Sequence, residues 1–139
     1  MKPTINCITL PVDDLQKSFA FYRDGLGMPA EGMAGEQDHV AFELPGDLYL
    51  VLISRSEFAG FAGFVDQSTA QPGISECILS YFASSREEVD SVLESARSAG
   101  ASPTTPKDNP WGYSGYFTDP DGHMWEVTWI PDPVEVPVE

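Results

Sequence analysis

A chain of 139 residues with 42% hydrophobic content is long enough for one domain with a sizeable core. Seven Lys and Arg against 22 Asp and Glu give a formal net charge of −15. That balance argues against nucleic acid and against an anionic membrane surface, because both need clustered cations. It fits simple solubility, or a neutral or cationic ligand drawn towards an acidic cleft. No apolar run reaches membrane-spanning length and the N-terminus lacks a signal-peptide core, so a cytoplasmic location is expected. Cys7 and Cys77 make no disulfide framework and read as two small buried thiols.

Residues 4–12 alternate apolar and polar side chains, which predicts a strand. Leu15, Phe19, Tyr22 and Leu26 then recur at helical spacing, with Asp13 or Asp14 as N-cap and Gly25 or Gly27 as stop. Residues 28–34 make a poor strand at best. His39–Leu44 and Leu48–Ile53 read as strands joined by a Pro45-Gly46-Asp47 turn. The order then repeats. Glu76–Ala83 reads as a strand, and Ser85 caps a helix that carries Val89, Val92, Leu93 and Ala96 and ends at Gly100. Ser85 and Glu88 stand at capping-box spacing. Ala101–Thr105 is a short strand, and Tyr113–Thr118 with Met124–Ile130 forms a closing hairpin around the turn Asp119-Pro120-Asp121-Gly122. This predicts an α+β domain over residues 1–130, built from two βαβββ modules at about 4–54 and 75–130.

Two segments stand outside the repeat. The connection 55–74 carries Phe58, Phe61 and Phe64, interrupted by Gly60, Gly63 and Gly73. It reads as a helical turn packing its aromatics on the core, or as an aromatic lid over a site. The tail 131–139 alternates Pro, Val and acid, and reads as extended, either frayed or laid on a partner subunit.

Strand parity sorts the side chains. Ile8, Leu10 and Val12 share one face of the first strand, with Cys7, Thr9 and Pro11 on the other. In the last strand Trp125, Val127 and Trp129 share a face, opposite Met124, Glu126, Thr128 and Ile130. The bulky faces belong against the helices, so the opposite faces would line a concave sheet. Cys7, Thr9, Tyr116 and Thr128 are therefore candidate ligand-binding residues, joined by the aromatics Phe58 and Trp111. Glu126 is the one carboxylate in an apolar strand. A buried bare charge is costly, so Glu126 needs a partner, a ligand or an open cavity, and it is the candidate catalytic residue.

The run from Tyr116 to Val127, with its Phe117-x-Asp119-Pro120-Asp121-Gly122-His123-x-Trp125-Glu126-Val127 pattern, resembles the closing hairpin of the vicinal oxygen chelate superfamily (glyoxalase I, bleomycin-resistance proteins, extradiol dioxygenases). Leu10-Pro11-Val12-Asp13-Asp14-Leu15-Gln16-Lys17-Ser18, with Phe21-Tyr22 and Leu26-Gly27, resembles its first strand and helix. Ser85-Arg86-Glu87-Glu88-Val89-Asp90 through Ala99-Gly100 resembles the helix of its second module. The likeness spans about residues 4–130 and points to the lactoylglutathione-lyase-like branch. It implies paired βαβββ modules forming curved mixed sheets around a cleft, a small-molecule ligand in that cleft, and a homodimer.

The resemblance also implies where a divalent ion (Zn, Ni, Mn or Fe) would sit. Members that use one bind it with a His near the start of the first strand, a Glu or His late in the first module, a His early in the second, and a Glu in the final strand. Glu126 matches the last position, and Glu76, with Cys77 beside it, lies near the third. Cys7 stands near the first, beside Asn6, while Leu48-Tyr49-Leu50-Val51-Leu52 offers no donor. His39 falls in an outer strand, and His123 shares the face of Trp125 rather than that of Glu126. Glu126 and Glu76 are thus the candidate metal ligands of an incomplete set.

The expected function is small-molecule binding in the cleft without the full standard metal set. One alternative is a metal-dependent lyase or isomerase of the lactoylglutathione lyase type, with Glu126 ligating the ion or shuttling a proton. Another is sequestration of a cationic drug between aromatics and carboxylates, as in bleomycin-resistance proteins. A metal-free enzyme with Glu126 as general base ranks below both. Catalysis itself stays open on the sequence.

Overall fold

The computed structural model describes residues 1–30, 38–62, 71 and 73–131. Its elements in order are β1 (Cys7–Val12), α1 (Leu15–Ala20, running on into a π-helical turn over Phe21–Gly25), β2 (His39–Leu44), β3 (Leu48–Ser54), α2 (Arg55–Ala62), β4 (Ile78–Phe82), α3 (Arg86–Ser98), β5 (Lys107–Asn109), β6 (Gly112–Thr118) and β7 (Met124–Trp129). They form two sheets, ordered β1-β3-β2 and β4-β7-β6-β5. In each, the strand before the helix lies parallel to the last strand of its module, and the remaining pairs are antiparallel. The fold is α+β as expected, but among the described residues the first module shows three strands and only the second shows the full βαβββ order.

Asp14, not Asp13, caps α1: its carboxylate accepts from the Lys17 N–H at 3.0 Å. Ser85 caps α3 by accepting from the Glu88 N–H at 3.0 Å. The reciprocal half of a capping box is not made, because the Glu88 carboxylate turns to the Ser84 hydroxyl at 2.6 Å and to the Tyr81 hydroxyl. Residues 101–105 are not a strand, since Pro103 and Pro106 remove the N–H groups a ladder needs. The edge strand is instead β5 at Lys107–Asn109, and Thr104 still donates its N–H to the Tyr116 carbonyl at 2.9 Å. The start of the inter-module connection is helical, as α2. Phe61 there is exposed and Phe58 half-buried, while Phe64 and the tail beyond Pro131 lie outside the described residues. Cys7 and Cys77 are exposed rather than buried, because one begins the edge strand β1 and the other precedes the edge strand β4.

The face parity read from the strands holds for the core. Leu10 and Val12 of β1, with Leu50 and Leu52 of β3, join Phe117, Trp125 and Val127 of the second sheet and Val89, Leu93 and Ala96 of α3 in one cluster. Tyr22 connects the halves: its ring lies 6.0 Å from Phe42 of β2 and 6.0 Å from Trp125 of β7. Next to it, Phe21 stands 6.1 Å from Phe117 of β6. Through Tyr22 and Phe21 the helix-bearing sides of the two sheets share one core.

The Asp119-Pro120-Asp121-Gly122 turn ties the modules together. Gly122 has φ +89°, and its N–H closes the turn on the Asp119 carbonyl at 3.0 Å. The Asp119 carboxylate accepts from the N–H groups of Asp121 and His123, both at 2.9 Å, and from the Tyr22 hydroxyl at 2.6 Å. The Asp121 carboxylate accepts from the Asp13 N–H at 2.8 Å, the Ser18 hydroxyl at 3.1 Å and the Arg55 guanidinium at 3.1 Å. His123 Nε2 lies 2.8 Å from the Pro11 carbonyl oxygen, so this His is structural. At the other end of the inter-sheet space a cleft stays open.

Candidate functional site

Glu126 sits in the middle of β7 with Ser80 of β4 on one side and Tyr116 of β6 on the other. The register places all three on the open face of the second sheet. The Ser80 hydroxyl donates to Glu126 Oε1 at 3.0 Å and the Tyr116 hydroxyl donates to Oε2 at 2.9 Å. The hydrogen bond to the carboxylate, followed by burial, raises the Tyr116 hydroxyl above its ordinary pKa, so the phenol keeps its proton and stays a donor. Each carboxylate oxygen has one donor and keeps further lone-pair capacity. The group is oriented, partly exposed and able to accept from a ligand N–H, pair with a cation or take a proton. Around it lie apolar side chains on the same face: Ile78 is 53% exposed and Phe82 68%.

Thr128 behaves differently from its neighbour Glu126. It is 1% exposed, and its hydroxyl lies 2.6 Å from that of Ser114, to which the Trp111 indole N–H donates at 3.2 Å. It is buried against Ser114 rather than presented to a ligand. Trp111 itself is exposed and stands at that end of the same sheet face. Cys7 and Thr9, whose Sγ and Oγ1 are 3.6 Å apart, belong to the open face of the first sheet beside Tyr49 and Val51. Phe58 lies on α2. The structure thus brings Glu126, Tyr116 and Trp111 to one face and puts Cys7 and Thr9 on another.

Glu76 is exposed and lies ahead of β4. Among the described residues no three His, Cys, Asp or Glu side chains gather closely enough to hold an ion. These residues do not fit a divalent cation, which needs three or more protein ligands. The residue that parity reading missed is Ser80. Its signal lay in the alternation of β4, which places residues 78, 80 and 82 on the face of Glu126 once β4 is paired with β7.

A family model described as the Glyoxalase/Bleomycin resistance protein/Dioxygenase superfamily matches residues 4–127. The chain belongs to this family. It is 28% identical over 123 residues to the protein YraH of Bacillus subtilis (strain 168), covering 86% of this chain and 93% of that one. Among solved structures, a glyoxalase-related enzyme from Fulvimarina pelagi superposes with a TM-score of 0.79 at 26% identity, covering 93% of this chain and 89% of its own. Lactoylglutathione lyase from Agrobacterium tumefaciens superposes with a TM-score of 0.69 at 26% identity, covering 93% and 95%. No helix among the described residues is long and apolar enough to cross a membrane.

Proposed function

We propose that this protein binds a neutral or cationic small molecule on the open face of its second sheet, with Glu126 as the anchoring carboxylate and Tyr116, Ser80 and Trp111 around it. The observation that carries this reading is the Ser80–Glu126–Tyr116 triplet, an oriented carboxylate set among exposed apolar side chains. An acidic net charge favours a cation over an anion at such a place. A sheet face with Ile78, Phe82 and Trp111 exposed also favours a homodimer in which a second copy covers it and turns an open face into a cleft.

The test is a thermal-shift and calorimetric screen of cationic and neutral aromatic compounds against wild type and Glu126→Gln. Hits should weaken about tenfold or more in the variant, the scale of a lost charge-assisted hydrogen bond. The melting temperature should barely move, because Glu126 is partly exposed. A large loss of stability with unchanged binding would make Glu126 a structural residue.

A second reading, catalysis of the lactoylglutathione lyase type, is favoured by the likeness to the Agrobacterium enzyme. It needs a metal that the described donors do not fit. Equilibrating the protein with Ni, Zn, Mn and Fe(II) and measuring bound metal decides between the two. About one equivalent per chain, lost in Glu126→Gln, would favour the lyase and call for assays with glutathione hemithioacetals.

A further inference from the structure

The layer between the sheets is filled at one end and hollow at the other. Around Tyr22 the aromatic rings are in contact and the Asp119–Asp121 clasp closes the end. At the opposite end, between the segment after α1, the β2–β3 turn and α3, lies a cavity of about 540 Å³. Ile8, Leu50, Leu79, Val92, Phe117 and Trp125 contribute to its walls. Its volume falls in the range of small-molecule pockets.

The chemistry of the lining narrows the occupant. No lining residue is charged. Away from the edge of β4 the walls are aliphatic and aromatic, which gives water few partners there. The hydroxyl-bearing residues are Tyr49, Ser80 and Tyr81, all exposed. Ile78, Leu79, Ser80 and Tyr81 are consecutive and alternate in facing, yet all four line the cavity. It therefore opens along the free edge of β4. Glu126 does not line it, since Trp125 and Val127, its neighbours in β7, turn to the other side of the sheet.

We propose that this cavity is a second binding site, meeting the Glu126 face only at Ile78 and Ser80, for an uncharged apolar small molecule with at most one hydroxyl or carbonyl to meet the hydroxyls at its mouth. A carboxylate-bearing analogue would find no cation there and would lose its hydration. Met28 at the wall can adapt to differently shaped ligands.

The test uses the whole chain and the uncharged dye N-phenyl-1-naphthylamine, whose fluorescence rises in apolar surroundings. Saturable binding at about one dye per chain is expected, with displacement by 1-decanol and much weaker displacement by decanoate. Val92→Phe and Leu26→Phe each add bulk to the cavity from a half-buried position. Circular dichroism identifies which of the two keeps the fold, and that variant should bind the dye about tenfold less well. Glu126→Gln should leave dye binding unchanged. Absence of saturable binding, undiminished binding in the folded cavity-filled variant, or loss of binding in Glu126→Gln would each overturn the proposal.

Discussion

Asp121 is 6% exposed and joins three parts of the chain: the N-terminus of α1 through Asp13 and Ser18, the start of α2 through Arg55, and its own turn. The charge is tolerable there because each contact is a hydrogen bond and one is an ion pair. Asp121→Ala should leave Ser18 and the Asp13 N–H without their acceptor and cost about 3 kcal/mol, read as a lower urea midpoint. Asp119 beside it is also buried. Burial raises its carboxyl pKa, although the Tyr22 hydroxyl and the backbone donors pull the other way. A carboxyl whose pKa is raised on folding favours the folded state when protonated. Its contribution is fully present below the ordinary Asp value of about 3.9 and is lost as pH rises through the raised folded value. Asp119→Asn removes that titration. Across this acidic window the wild type should lose stability relative to the variant as pH rises, measured as the difference in melting temperature. A difference that stays flat with pH would show that Asp119 does not carry the effect.

At the scale of elements, the cap of α3 and the β6–β7 turn carry separate, local terms. Ser85→Ala removes the acceptor for the Glu88 N–H and should cost about 1 kcal/mol. The Glu88 carboxylate does not return to Ser85, so Glu88→Gln should disturb its contacts with Ser84 and Tyr81 rather than the cap itself. Gly122 is constrained twice, by φ +89° and by the Gly73 backbone, which would lie 2.4 Å from an added Cβ. Gly122→Ala should therefore destabilise by about 2 kcal/mol or more, with chemical denaturation as the readout. β4 is an edge strand with apolar side chains on both faces. That makes it the element whose environment should change most when a second copy or a ligand is present.

At the scale of the whole molecule, the two modules share one core instead of possessing one each. Unfolding should then be a single cooperative step. Tryptophan fluorescence and far-ultraviolet circular dichroism should give coincident urea transitions, and a resolved second transition would show that the modules unfold independently. Cys7 and Glu126 belong to different sheets, and a second copy would extend the exposed face around Glu126. Sedimentation analysis of the full chain should show a dimer, and a monomer at all accessible concentrations would remove the second copy from the proposed site.

The sequence by itself determined the order of the elements, the turn chemistry of residues 119–122, the helix caps to within a residue, and which side of β1 and β7 is buried. These follow from local rules: alternation along strands, helical spacing of apolar residues, and the backbone preferences of Pro and Gly. Its errors came where a competing local interaction won, as at Pro103 and Pro106, or where exposure depended on edge position, as at Cys7 and Cys77. Only the tertiary structure decided that Tyr22 packs against both sheets, that Ser80 of β4 reaches Glu126 on the neighbouring β7, and that Thr128 is buried against Ser114. Each depends on pairs of residues far apart in the chain. Strand parity gives the face a side chain takes but not which strand lies beside it or what stands opposite.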